Sequence, residues 1–162
     1  MANGKNKVIE KDTGFKEFMK RLRVFDGLEV VVGIPAKEGD QVYENGVPLI
    51  EIASAHEFGT PDDRPPRRSF LRDTFDANRA KYAKMQDDAA KRVIKNENPK
   101  AALFRLAQEA RNDVLDRIDS GIDPPLKDST IARKGSSLPL VDKGILRASI
   151  TGIVRKEEPD AG

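Results

Sequence analysis

The chain has 162 residues, a length for one domain with short ends, and 38% of them are hydrophobic, enough for one core. Its 29 basic and 27 acidic residues leave a net charge of +2, so bulk charge argues neither for nor against nucleic acid and any electrostatic argument is local. The absence of cysteine excludes disulfides, thiolate metal sites and cysteine nucleophiles.

Residues 1–12 are polar, lack the apolar stretch of a signal peptide, and read as a flexible N-terminus. A single α+β domain is expected over 13–155, with a flexible C-terminus over 156–162. No run approaches the ~20 apolar residues of a membrane span. No membrane partner is expected, and the protein is expected to be made in the cytoplasm and to stay soluble there.

Phe15, Phe18, Met19, Leu22 and Phe25 recur at helical spacing and predict a short amphipathic helix, ended by Asp26-Gly27. Leu28 to Ile34 is rich in β-branched residues and predicts a strand with at least one covered face, closed by Pro35. Residues 36–47 read as a polar loop or small hairpin, with Asn45-Gly46 at its tight turn. Pro48 suits the first turn of a helix running to Phe58, with Leu49, Ile52, Ala53 and His56 on one face and Gly59 as its stop.

Pro61, Pro65 and Pro66 stiffen the following stretch. Ser69 is expected to cap a long helix reaching about Lys95, with Leu71, Phe75, Asn78, Tyr82, Met85 and Ala89 as its inner stripe. Asn98 and Pro99 then open a second long helix, whose buried stripe is Leu103, Leu106, Ala107, Ala110, Val114 and Ile118. Gly121, Pro124 and Pro125 end it. The short joining loop makes the two helices antiparallel. Beyond them, Ser129 to Gly135 allows one capped turn, Asp142 another, and Ser149 to Val154 alternates like a terminal strand.

Candidate chemistry is sparse. His56 stands beside Glu57, but no second histidine or spaced carboxylate set accompanies it, so it reads as structural, satisfying a carbonyl near its helix end. No Gly-x-Ser-x-Gly elbow exposes a serine, and Gly135-Ser136-Ser137 lacks the pattern of a phosphate loop. Adjacent carboxylates such as Asp62-Asp63 and Asp87-Asp88 do not converge. With no converging groups, no enzyme activity, catalytic residue, cofactor or metal is expected.

Arg64, Arg67, Arg68 and Arg72 form the best basic patch, suited to DNA phosphates or to carboxylates of a neighbouring subunit. Asp62, Asp63, Asp73 and Asp76 cancel its field, so a subunit contact is favoured, with Phe70 and Leu71 as apolar anchors. The stretch 124–140, with Leu126, Ile131 and Leu138 widely spaced, is either a loop packed on its own domain or an arm reaching a neighbour.

Five segments taken together resemble the virion-morphogenesis, or tail-component, family of tailed bacteriophages. They are Val32-Gly33-Ile34, the block from Ala53 to Gly59 with its His-Glu-Phe-Gly core, and Pro65-Pro66-Arg67-Arg68-Ser69-Phe70-Leu71-Arg72. The others are Pro124, Leu126 and Ser129 to Gly135, and Leu140 to Ile150, where Lys143 departs from a family pattern that has threonine before the glycine. The resemblance spans about residues 28–155.

It implies an α+β fold in which two long antiparallel helices and shorter ones pack on a small β-sheet, with extended loops or arms. It also implies a virion location at the head–tail interface or in the tail, as a non-enzymatic neck or tail-completion protein. The expected partners are further copies of itself in a ring of sixfold or twelvefold symmetry, the neighbouring phage connector and tail proteins, and packaged DNA in passive contact. Arg64, Arg67, Arg68, Phe70, Arg72, Ile131, Arg133 and Lys134 are the expected subunit contacts, while His56, Phe58 and Gly59 are assigned to fold integrity. The alternatives are a tail terminator or transient morphogenesis factor, and a DNA-binding accessory protein whose affinity would fall steeply with salt.

Overall fold

A computed structural model describes residues 14–42, 46–127, 131–132 and 144–156. In chain order these form α1 (Phe15–Leu22), a 3-10 turn (Arg23–Phe25), β1 (Leu28–Gly33), α2 (Ala36–Gly39) and α3 (Leu49–Phe58). There follow α4 (Arg72–Ala77), α5 (Arg79–Ile94), α6 (Pro99–Asp119), α7 (Ile145–Ser149) and β2 (Thr151–Lys156). The class is α+β, mainly helical with a small antiparallel sheet. The expected turn at Asn45 and caps at Ser129 and Asp142, as well as Arg133, Lys134 and Lys143, lie outside the described residues.

The axis of the molecule is α6. Asn98 Oδ1 accepts from Ala101 N at 3.2 Å and Pro99 occupies the first turn, where its missing donor leaves no gap. All six residues of the expected stripe are buried, and Ala102 and Leu115 join them. Near its N-terminal end α6 packs Ala102 and Leu103 with Ala89 and Val93 of α5, covered by Phe25 and Leu28. Near its C-terminal end Val114, Leu115 and Ile118 pack with Leu49, Ala53, Phe70, Leu146 and Ile150.

β1 and β2 pair antiparallel, from Leu28 opposite Lys156 to Gly33 opposite Thr151. Period-two alternation turns Leu28, Val30, Val32 and Val154 toward the helices. Glu29, paired at 2.6 Å with Arg155, lies on the other face together with Val31 and Ile153. Lys156, expected in the flexible terminus, is the last residue of β2.

The helix expected over 69–95 is two helices. Asn78 ends α4 at φ −103°, ψ 10°, and its side-chain Nδ2 donates to Thr74 O at 2.9 Å. A short amide that competes with the backbone ladder breaks a helix whose apolar period runs on undisturbed. Phe75 and Tyr82 still meet across the break, ring centroids 5.5 Å apart. The loop expected over 36–47 contains the short helix α2, and among the described residues Val42 forms an isolated bridge with Pro48.

A polar latch closes α5 on α6. Asp113 accepts from Lys81 Nζ at 2.8 Å and from Tyr82 Oη at 2.9 Å, and Lys81 also reaches Glu109 at 2.6 Å. Burial, and then the bond to Asp113, push the Tyr82 phenol above its ordinary value. The unfolded chain releases that proton first, near pH ~10, so stability held below that pH falls as pH rises toward the folded value. Tyr82→Phe is expected to cost about 1 kcal/mol at neutral pH. It should also flatten the alkaline loss, read as urea midpoint against pH; an unchanged alkaline slope would count against the latch.

Candidate functional site

The inner line of α3 is Leu49, Ala53 and Glu57, so a face that begins apolar ends in a carboxylate. Ile52 and His56, expected on the buried face, are half-buried. Helix α3 stops at Gly59, whose φ of 78° and ψ of 175° lie in territory open in practice to glycine alone. The Arg67 backbone also crowds this position: a Cβ on Gly59 would sit 3.1 Å from Arg67 N. Glycine is required here by conformation and by space together.

Thr60 then closes the proline loop on itself. Its Oγ1 donates to Pro65 O at 3.1 Å and accepts from Arg64 N at 2.7 Å. Arg68 N donates to His56 O at 2.7 Å, which brings the returning chain alongside the end of α3. The next four residues meet Glu57. Its carboxylate accepts from Ser69 Oγ at 2.7 Å and from Phe70 N, Leu71 N and Arg72 N, each at 2.9 Å.

Glu57 is only 6% exposed, and four donors fill the acceptor capacity of its two oxygens. Three of the donors are the open N–H groups at the start of α4, where the helix dipole also favours negative charge. Ser69, expected as the N-cap, lies two residues before the cap position at Leu71, yet its Oγ accepts from Asp73 N at 3.2 Å while donating to Glu57. Carboxylate and serine therefore cap α4 jointly. A carboxylate so engaged is a structural bolt, with no acceptor position left for a substrate proton or a metal.

The arginine cluster divides. Arg68 turns inward, 4% exposed, with Nε donating to Pro124 O at 2.8 Å and Nη2 to Pro125 O at 3.3 Å. Burial lowers its guanidinium from the ordinary value, against a smaller opposing pull from Asp63, yet arginine remains charged. Phe70, at 1% exposed, is the largest of the fully buried side chains. Neither can serve as the subunit contact expected of it, because each already completes the interior of its own chain.

Arg64, Arg67 and Arg72 stay on the surface. Arg67 pairs with Asp73 at 2.6 Å, and the Arg72 guanidinium lies 5.3 Å from the Phe58 ring centre. Phe58, assigned above to fold integrity, is 61% exposed and is a surface feature. The two bonds from Arg68 tie the beginning of the 124–140 stretch to its own domain. Further along, Ile131 is half-buried, with its N–H on Lys127 O at 3.0 Å.

Sequence reasoning saw Glu57 only as the neighbour of His56. The available signal was its position four residues beyond Ala53 and eight beyond Leu49, since a carboxylate on a buried face demands donors. Among the described residues no group of three or more His, Cys, Asp or Glu side chains is placed to hold a metal ion, and no helix is long and apolar enough to cross a membrane. Comparison of the chain with protein-family models, with curated proteins and with solved structures finds no match.

Proposed function

We propose that this chain is a non-enzymatic structural protein of a tailed-phage particle, completing the neck or tail and helping to join the tail to the DNA-filled head as part of an oligomeric ring. The observation that carries the reading is the Glu57 bolt. It ties together the two most informative segments of the family-like pattern, the His-Glu-Phe-Gly block and the Arg-Ser-Phe-Leu-Arg block, as one packed unit. Residues that invite a catalytic reading, Glu57 and Ser69, spend their polar atoms on that architecture. Direct DNA contact is weakened as a reading, because Arg68 is internal and Arg67 is paired with Asp73.

Electron microscopy of lysates from a phage lacking this gene tests the proposal. Filled heads beside detached tails are the expected result. Intact infectious particles would overturn it.

A further inference from the structure

Four of the seven phenylalanines, Phe15, Phe18, Phe58 and Phe104, are exposed in a chain with little apolar material to spare. Large apolar side chains grouped on a surface mark contact sites, whereas single ones do not. Two groups stand out, and they differ in charge.

The first is α1. Phe15, 66% exposed, and Phe18 project beside Lys16, Lys20 and Arg23, while Met19 and Leu22 are half-buried. From Phe15 to Phe25 the sequence holds four basic residues and one acid, Glu17. The second is the outer line of α3, where Ile50, 45% exposed, Ser54 and Phe58 follow one another at four-residue steps. Val42, exposed and bridged to Pro48, extends this line, and α2 is seated against it, a Cβ on Gly39 falling 3.4 Å from Ile50 Cβ. Around the Ile50 end of this stripe stand Glu38, Asp40 and Glu51 with one base, Lys37, while at its far end Arg72 lies over the Phe58 ring.

The two faces cannot meet within one copy. Phe25, at the end of the α1 segment, packs with Leu103 of α6, and Leu49, at the start of α3, packs with Ile118. Fifteen residues of α6 separate those anchors, about 22 Å of helix.

We infer that the basic apolar face of α1 on one copy docks onto the acid-flanked apolar stripe of α3 on the next. Phe15 and Phe18 lie against Ile50 and Phe58, and Lys16, Lys20 and Arg23 face Glu38, Asp40 and Glu51. Different surfaces meet, so the contact is heterologous, and its repetition either closes a ring or continues as a filament. The inference deepens the ring reading by naming the two faces, and it replaces Arg68 and Phe70 as contacts.

The absence of native cysteine permits a clean test on the full chain. Phe18→Cys and Ile50→Cys variants are mixed under mild oxidation, with Phe104→Cys plus Ile50→Cys as the control for random collision. The expected result is a mixed disulfide dimer well above the control, and a ladder of higher species when both cysteines lie in one chain. Lys16→Glu with Lys20→Glu should abolish both, and Glu51→Lys with Asp40→Lys should restore them.

Mixed dimers no more abundant than the control overturn the inference, as does a dominant Phe18–Phe18 homodimer. Flotation with anionic vesicles in the absence of mixed dimer assigns α1 to a lipid surface and also overturns it. The outcome is independent of the particle experiment: a protein required for tail joining that gives no mixed dimer keeps its role and loses this contact. A mixed dimer from a protein dispensable for particles does the reverse.

Discussion

Glu57→Ala is expected to be among the most destabilising single substitutions in the chain, at about 3–5 kcal/mol, because it strands buried donors without removing them. Three backbone N–H groups and the Ser69 hydroxyl converge on that carboxylate at 2.7–2.9 Å. Each buried donor left unsatisfied costs about 1–3 kcal/mol, and a water entering the vacated space recovers part of the sum. Against a typical domain stability of about 5–15 kcal/mol, such a loss leaves a marginal fold.

The measurement is a urea titration at neutral pH. The midpoint should fall sharply with little change in slope, and the amides of Phe70, Leu71 and Arg72 should lose protection from hydrogen exchange. Glu57→Gln keeps the shape but turns one acceptor oxygen into a donor, so about half the loss is expected. It remains measurable if the alanine variant does not fold. A loss below about 1 kcal/mol for Glu57→Ala would show that the bolt is not holding the loop.

The same carboxylate shows where sequence reasoning reaches its limit. Helix α6 was legible throughout, because its cap, its first-turn proline and its apolar period are all local and agree with one another. The α4–α5 break was not, since Asn78 occupies a stripe position that helical periodicity alone reads as continuous. Strand β1 was legible from its β-branched run. Its pairing with β2 was not, because the register joins residues more than a hundred positions apart.

The arginine loop was misread for the same reason. Four arginines within and just after a proline-rich loop look like a surface, and three of them are exposed. What turns Arg68 inward is a pair of carbonyls at Pro124 and Pro125, displaced by more than fifty residues and brought near only by the fold. Phe70 follows it into the core formed by α3, α6 and α7.

Gly152→Ala is the second large effect expected, and it arises from space rather than polarity. Strand β2 crosses α6 so closely that a Cβ on Gly152 would lie 2.3 Å from Ala107 O and 2.9 Å from Ala107 C. Those are backbone atoms in the middle of a helix and cannot swing aside as a side chain would. The strand must lift instead. Lifting it strains the bonds that seat it, Gln108 Nε2 to Gly152 O at 2.9 Å and Arg111 Nε to Ile150 O at 2.8 Å.

Overpacking of this kind costs about 1–3 kcal/mol, and each seating bond lost adds about 1 kcal/mol, so a total of about 3–5 kcal/mol is expected. Gly33→Ala, on the paired strand, is the internal control. A Cβ there meets nothing within 4 Å, so that variant should stay within about 0.5 kcal/mol of the parent or gain slightly. β-propensity predicts the opposite order of severity at Gly152, since valine suits strands better than alanine. Steric exclusion predicts that Gly152→Val is the worse of the two. Urea midpoints for the three variants therefore separate the explanations, and equal losses at Gly33 and Gly152 would place the crossing of β2 over α6 in error.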